Sequence, residues 1–385
     1  MPPDHDCTIV GASFAGLACA TALARAGVRV TVLEKKADAG DKLHTTGIIV
    51  KDAIDQIALL DRLPAQHVRR VAGVRLYAPN LNHVDLSAPG YYFLTTDTPQ
   101  VMRWLAERAE EAGARIAYRA PFRSAARVQS GFDLGEHGVT RYLVGADGPT
   151  STVAKTLGLG RSRQFLFGIE HEYAGVELAE PNMLHCFVDR RLAPGYIGWV
   201  AAAPGAVQVG LAHRVHGERM PAVAALERFL EKIAPVIDLR DVQPASVRAG
   251  RIPCGGTVSP VAASRVLLVG DAAGMVSPVT AGGIHTALKH GLAAGHAIAD
   301  YLGGRREDPS GWFVRSYPKF RAKRMLRFLF DRFQSDALFN LLLHTRPLRA
   351  AASVVYFHHK GVFDPAGTSA RYASVAEDYA RRNDT

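Results

Sequence analysis

Gly11-Ala12-Ser13-Phe14-Ala15-Gly16 follows the short apolar run Cys7–Val10 and opens an Ala-rich stretch that continues to Ala26. A glycine-spaced turn between a strand and a helix decides the fold. Gly11 permits a tight turn, Gly16 lets helix and strand pack closely, and the helix start presents unpaired N–H groups to a phosphate. Position 13 carries Ser where that fingerprint has Gly, so a phosphate would approach past a small side chain. Val28 to Glu34 (VRVTVLE) then reads as a second strand, rich in β-branched residues. Strand, turn, helix and strand within about thirty residues predict a parallel sheet of Rossmann type. Glu34 closes that strand 23 residues after Gly11, with Lys35 beside it. A carboxylate at this place accepts hydrogen bonds from an adenosine ribose and disfavours a 2′-phosphate.

Two later motifs sharpen the cofactor. Leu143-Val144-Gly145-Ala146-Asp147-Gly148 and Leu268-Val269-Gly270-Asp271-Ala272-Ala273-Gly274 each put a Gly-Asp or Asp-Gly pair just after a short buried strand. Asp271 would leave its strand pointing at a ribityl chain. Pro278, Gly282 and Gly283 follow, and Ile284 begins a long helix. Its N-terminus would face a flavin ring and stabilise negative charge on the reduced cofactor. A lone Gly-Asp pair is most often a turn; three such elements in this order point to FAD.

Working outward, the flavin domain reads as discontinuous: residues 1–70, 96–160 and 250–310. Val71 to Thr95 and Phe165 to Ala212 have a different texture, alternating apolar and polar residues with turns such as Ala193-Pro194-Gly195. They predict an inserted antiparallel β-sheet substrate domain over 71–95 and 161–249. Residues 311–385 read as a helical C-terminal region. The fold class is therefore α/β, an FAD domain with an inserted sheet and a helical tail.

The chain has 385 residues, 48% of them hydrophobic and 21% charged, with a formal net charge of +10. No run of eighteen apolar residues suggests a membrane span. The polar start, Met1 to Asp6, lacks the pattern of a secretory signal. Cys7, Cys19, Cys186 and Cys254 have neither metal-ligand spacing nor close pairing, which fits a reduced, cytoplasmic protein. Nine Lys/Arg against two Asp crowd into Arg315 to Arg349. No basic-aromatic recognition motif accompanies them, so a nucleic-acid partner is not expected. An anionic lipid surface or a phosphorylated ligand suits such a stretch. At helical spacing, Leu326, Phe330 and Phe333 share one face and Lys323, Arg324 and Arg327 a neighbouring one. That pattern predicts either a tail helix packed over the substrate domain with a solvated basic face, or peripheral membrane contact.

These motifs resemble the para-hydroxybenzoate hydroxylase type of flavoprotein and, within it, the geranylgeranyl reductase family. The resemblance rests on Ile252-Pro253-Cys254-Gly255-Gly256, on Gly270-Asp271 and on Pro278-Val-Thr-Ala-Gly282-Gly283-Ile284. It extends to Ala193-Pro194-Gly195-Tyr196-Ile-Gly-Trp199, similar to the aromatic strand that lines that family's substrate cavity. The family's Tyr-x-Trp-x-Phe-Pro is here Tyr196-x-x-Trp199, without Phe-Pro. Its Cys-Gly-Gly-Gly loop beside the flavin corresponds to His44-Thr45-Thr46-Gly47, without the Cys. An Arg expected before the Val101 helix falls at Thr98, with Arg103 nearby.

The resemblance implies Tyr196 and Trp199 in an apolar substrate pocket, and His44, Thr45, Thr46 and Pro278 as candidates beside the reacting atoms. Cys254 reads as structural, and His285 and His290 as core or surface histidines. The implied activity is reduction of carbon–carbon double bonds in an isoprenoid or other apolar substrate, with hydride from flavin N5. A monooxygenase, hydroxylase or epoxidase, acting through a flavin hydroperoxide is the alternative on the same fold. No second dinucleotide fingerprint is present, so NADPH, NADH or a reduced electron-carrier protein would donate electrons transiently.

Overall fold

The computed structural model describes residues 3–214 and 222–357. The end of the tail, 358–385, for which helix was also expected, lies outside the described residues. The helices are α1 (Phe14–Arg25), α2 (Lys51–Gln56), α3 (Thr98–Glu111), α4 (Thr152–Thr156), α5 (Ala222–Ile233), α6 (Ile284–Leu302), α7 (Ser310–Ser316), α8 (Arg321–Phe333), α9 (Asp336–Leu342) and α10 (Arg346–Phe357).

The N-terminal strand and one from beyond residue 265 meet in one sheet. Strand His5–Val10 sits in the middle, with Val30–Glu34 and then Arg115–Tyr118 on one side. On the other side lie Val139–Gly145 and then Val266–Leu268, and all these neighbours run parallel. Such a sheet must be covered on its faces. The Ala-rich composition of α1 and the glycines of α6 decide how. A Cβ at Gly291 would stand 2.4 Å from Ala15 O, and one at Gly295 2.6 Å from Cys19 O. Only hydrogen at these two places lets α6 lie on the backbone of α1. All of Phe14–Ala24 is buried as a result.

The second sheet runs Ser246–Pro253, Phe165–Ala174, Ala206–Arg214, Gly198–Ala203, Met183–Phe187, Gly73–Tyr77, His83–Ser87. One face is covered by α5, whose Ala225, Leu226, Phe229 and Ile233 pack on Ile169, Val209 and Leu211. Three expectations need correction. Phe93–Thr96 is not in this sheet; it pairs with Ile49–Val50 and Val68–Val71 in a three-stranded sheet. Tyr91 and Phe93, packed with Phe357, turn that strand away. The expected boundary at 249/250 falls inside a strand, because Ser246–Pro253 pairs with Phe165–Glu172 along its whole length. The sheet is also not purely antiparallel, since Met183–Phe187 and Gly73–Tyr77 run parallel.

The tail departs furthest from the sequence pattern. In α8 only Arg327 is buried. Met325, Phe328 and Phe333 are 65%, 67% and 66% exposed, and Leu326 and Leu329 are exposed too. Arg327 points inward and pairs with Asp331 on its own helix at 3.1 Å; Arg214 of the second sheet also pairs with Asp331. Gln334 Oε1 accepts from Gly195 N–H at 2.8 Å. Arg327, Asp331 and Gln334 therefore form an inward polar stripe. The expectation of a solvated basic face holding Lys323, Arg324 and Arg327 together is overturned. An ion pair and a buried amide seat the helix, and its apolar residues turn to solvent.

Candidate active site

The Gly11 turn is built as a close approach of backbones. Gly11 has φ +103, and a Cβ there would lie 2.5 Å from Ala146 O. A Cβ at Gly16 would lie 2.1 Å from Gly11 O. Ser13 is the N-cap of α1: its Oγ accepts from Gly16 N–H at 3.2 Å and donates to Ala146 O at 3.0 Å. The Ser in place of Gly thus ties the two motif turns together. Glu34 is buried, and Oε2 accepts from Ala12 N–H at 2.8 Å while Oε1 accepts from Lys36 N–H at 3.0 Å. Lys35 is exposed, and Phe14 and Ala15 face the core.

Asp147 behaves differently from the expectation of a cofactor contact alone. Its carboxylate accepts from Ser151 Oγ at 2.6 Å and from the N–H groups of Thr152 (2.6 Å) and Val153 (3.1 Å). It holds the start of α4, and Gly148, with φ +85, makes the bend between them. Asp271 makes no side-chain hydrogen bond to any described residue. Burial lifts its carboxyl to about 6. A Cβ at Gly283 would lie 3.7 Å from Asp271 Oδ1, so this carboxylate stands beside the start of α6. Gly283 caps α6 with no side-chain hydrogen bond, which leaves the first N–H groups, from Ile284 on, without a cap. Gly270, with φ +58, approaches Ala15, where a Cβ would stand 2.9 Å from Ala15 Cβ.

An unpartnered half-buried carboxylate, an uncapped long helix and a phosphate-sized turn are what FAD would complete. The residues present fit it: Gly11 to Gly16 for the pyrophosphate, Glu34 for the ribose, Asp271 for the ribityl chain and the Gly282–Ile284 turn for the ring.

The loop His44–Gly47 is pinned from two sides. His44, exposed, gives its Nδ1–H to Ala249 O at 2.5 Å. Thr98 Oγ1 donates to Thr46 O at 3.0 Å, and Thr96 Oγ1 to Gly47 O at 2.8 Å. Arg248 Nη1 donates to Thr45 O at 3.2 Å. Thr98 thus works on the loop where an Arg was looked for, while Arg103 is engaged with Asp38 at 3.0 Å.

Behind the loop lies a polar group that sequence reading missed. Glu170, Glu172 and Arg248 face inward from neighbouring strands, with Arg248 3.5 Å from Glu170 and 2.6 Å from Glu172. Trp199 Nε1 donates to Glu170 Oε2 at 2.8 Å. The indole reaches across Gly210, where a Cβ would lie 2.6 Å from Trp199 Cζ2. Burial raises the Glu170 carboxyl above the usual range, opposed by the Thr46 and Trp199 donors and the Arg248 charge. The signal in the sequence was Glu170-His-Glu172, two carboxylates two apart in an otherwise apolar strand.

Tyr196 is half-buried and its hydroxyl donates to Thr280 O, which ties the aromatic strand to the loop before α6. Tyr196, Trp199, Ile252 and Ala281 pack around the buried Leu166, Ala212 and Cys254. Pro278 is buried nearby and its carbonyl accepts from Arg327 Nη1 at 3.5 Å. With no proton to give, Pro278 can shape the site but not act as acid or base. His290 is buried in the core against Tyr317 and held neutral, its pKa pushed down to about 3 by burial. All four cysteines are buried and free. Among the described residues no cluster could hold a metal ion and no helix is long and apolar enough to cross a membrane.

Comparison with known proteins decides the family. The FAD binding domain family matches residues 4–325. The chain belongs to that family. It is an FAD-dependent oxidoreductase, as its motifs predicted, and its fold class is the expected one. It is 32% identical over 330 residues to digeranylgeranylglycerophospholipid reductase 2 of Methanopyrus kandleri, covering 82% of this chain and 81% of the relative. Among solved structures it resembles a geranylgeranyl bacteriochlorophyll reductase-like protein from Thermoplasma acidophilum, with TM-score 0.78 and 17% identity over 98% of both chains. A flavin-dependent brominase shares the fold at TM-score 0.71 and 15% identity, covering 98% of this chain and all of the other. The fold is thus shared by a reductase-like protein and a brominase, and at these identities the structural likeness speaks for the fold alone.

Proposed function

We propose that this FAD enzyme reduces carbon–carbon double bonds of an isoprenoid lipid. The observation that carries the reading is the aromatic and aliphatic surface of Tyr196, Trp199, Ile252 and Ala281 set against the loop that precedes α6. A chain of isoprene units needs such a surface and offers nothing to a polar one. The name borne by the Methanopyrus kandleri relative agrees with this class of substrate.

When bound, FAD supplies the hydride. The chain's own residues then have three tasks. Gly11–Gly16, Glu34, Asp271 and the Gly282–Ile284 turn hold the cofactor. Tyr196 and Trp199 position the apolar chain and exclude water. Glu170, its carboxyl raised by burial, gives a proton through the Thr46 hydroxyl to the second carbon and is left as a carboxylate that Trp199 and Arg248 stabilise. His44, its Nδ1–H committed to Ala249 O, holds the loop. NADPH, NADH or a reduced electron-carrier protein restores the reduced state.

We further assign the outward face of α8 to an anionic lipid surface. Arg321, Arg324 and Arg332 are exposed beside Met325, Phe328, Leu329 and Phe333. Charge and apolar area combine there as they do in interfacial helices. The enzyme would then be peripheral at a membrane and take its substrate from it.

Anaerobically reduced protein, mixed with a prenylated alkene or with oxygen, tests the activity. Alkene-dependent reoxidation with slow reaction toward oxygen is expected. Rapid oxygen reaction with transfer of an oxygen atom to the substrate would instead establish the monooxygenase.

A further inference from the structure

Behind the His44–Gly47 loop two carboxylates share one guanidinium, and they are held unequally. Glu172 accepts from three donors: Arg248 Nη2 at 2.6 Å, Gln208 Nε2 at 3.0 Å and Ser246 Oγ at 2.6 Å. Glu170 accepts from Trp199 Nε1 at 2.8 Å, while its Oε1 is buried without a hydrogen bond, 3.5 Å from Arg248 Nη1. That Nη1 donates instead to Thr45 O, at 3.2 Å. Exposure follows the same order. The Glu170 side chain is 4% exposed, that of Arg248 8% and that of Glu172 16%.

Charge explains why the asymmetry matters. Arg248 and Glu172 together sum to zero. A second ionised carboxylate on the same guanidinium would leave one net negative charge with little water to screen it. The charged groups acting on Glu170 are these two, Arg248 from the Ser246–Pro253 strand and Glu172 from its own strand. Thr46 of the loop and Trp199 of the Gly198–Ala203 strand add neutral donors. Burial is the largest influence and favours the protonated acid. Thr46, Trp199 and Arg248 oppose it, and the Glu172 charge reinforces it.

We infer that Glu172 is a positioning residue: by drawing Arg248 to itself, it keeps on Glu170 the proton that double-bond reduction consumes. The inference rests on the proposed reductase reaction and assigns the group that sets its acid. With the hydride on one carbon, the Thr46 hydroxyl passes its proton to the other as it receives one from Glu170. Thr46 ends unchanged and Glu170 ends ionised. The cluster then carries one negative charge, and a proton taken from solvent restores it before the next turnover. Glu172 acts on this step through Arg248 and not by touching the substrate.

Infrared spectroscopy of the oxidised, FAD-loaded protein reads that proton directly. A carboxylic-acid carbonyl band that titrates with pH and is missing in Glu170→Gln marks Glu170. Its midpoint should fall by about one pH unit or more in Glu172→Gln, because Arg248 then faces Glu170 alone. Glu172→Asp, which keeps the charge, should move it less in the same direction. Arg248→Gln should move it up. Opposite shifts on removing the two partners are a result that loosened packing does not give. In single-turnover alkene reduction the alkaline limb of the pH profile should move down with the band in Glu172→Gln. If Glu170→Gln removes no such band, or if the midpoint stays or rises in Glu172→Gln and Glu172→Asp, the inference is overturned. The band is read without substrate, so a protein that shows these shifts yet reduces no alkene loses the reductase reading alone.

Discussion

Helices α1 and α8 are both rich in apolar residues, and they are used in opposite ways. In α1 every residue from Phe14 to Ala24 is buried, with α6 laid against it. In α8 the buried residue is Arg327, and Met325, Phe328 and Phe333 face out. Apolar content alone therefore does not orient a helix. Small residues let α1 sink into a core that the parallel sheet requires. Polar fixings turn α8 over: Arg327 and Arg214 on Asp331, and Gln334 on Gly195.

The sharpest way to break the contrast is to put bulk where α1 and α6 touch. Gly291→Val would place carbon within 2.4 Å of Ala15 O, a backbone atom that cannot move aside. A loss of about 3 kcal/mol or more is expected, with most FAD retention. Thermal unfolding followed by circular dichroism and flavin content after gel filtration measure it. Unchanged melting and full flavin occupancy would show that the helices are not held this closely.

On the tail side the matching change is Arg327→Met. It leaves Asp331 with Arg214 alone, and Asp331 keeps some solvent, so about 2–3 kcal/mol is expected where a fully buried pair would cost more. The effect should be local. Limited trypsin digestion should release the tail while the flavin stays bound. Proteolysis no faster than in the unaltered protein would mean that apolar contacts, not charge, seat α8.

Asp271 sharpens the comparison from within the FAD region, as a carboxylate that burial strains. Its folded-state carboxyl, lifted to about 6, lies above the unfolded value near 4. The protonated form is the one the fold prefers. Stability in flavin-free protein is then complete below about pH 4 and falls as pH rises toward 6. Asp271→Asn should be more stable than the parent at pH 7 by about 1–2 kcal/mol, the full shift being reduced by solvent on the cleft side. The two should converge near pH 4. Urea titrations of both at pH 4 and pH 7 read the difference, and parallel curves at the two pH values would refute a desolvated carboxylate. The same substitution should loosen FAD in the holoprotein, since the group that destabilises the empty cleft is there to meet the ribityl chain.

The contrast also explains what could be read without coordinates. The strand–Gly11–helix unit, Glu34 and the two Gly-Asp turns are local: each is a few neighbouring residues whose spacing states their geometry. The network of Glu170, Glu172 and Arg248 was not legible, because it joins residues 76 to 78 apart through strand register that only the folded sheet supplies. The orientation of α8 was hidden for the same reason. Its partners Arg214 and Gly195 lie more than a hundred residues away, and periodicity within the helix cannot see them. Ser13 lay between these cases: its departure from Gly was visible, but its bond to Ala146 was not.

The outward face of α8 gives the smallest expected effect on stability and the clearest one on binding. Phe328 and Phe333 are two-thirds exposed, so replacing both with Ser removes little from the folded state, within about 0.5 kcal/mol. At a membrane the same side chains would leave water, each for roughly 1.5–3 kcal/mol, and each neighbouring Arg would add about 1 kcal/mol. Two Phe with Arg321, Arg324 and Arg332 therefore suffice for reversible attachment. Sedimentation with anionic vesicles should carry down the unaltered protein at low salt, less of it at high salt, and little of the double Ser variant. Neutral vesicles should carry down less of it than anionic ones. Replacing Arg327 could not make this distinction, since that residue holds the helix in place and its loss would disturb both readings. If the protein stays in the supernatant with anionic vesicles at low salt, the exposed face of α8 meets something other than a lipid surface.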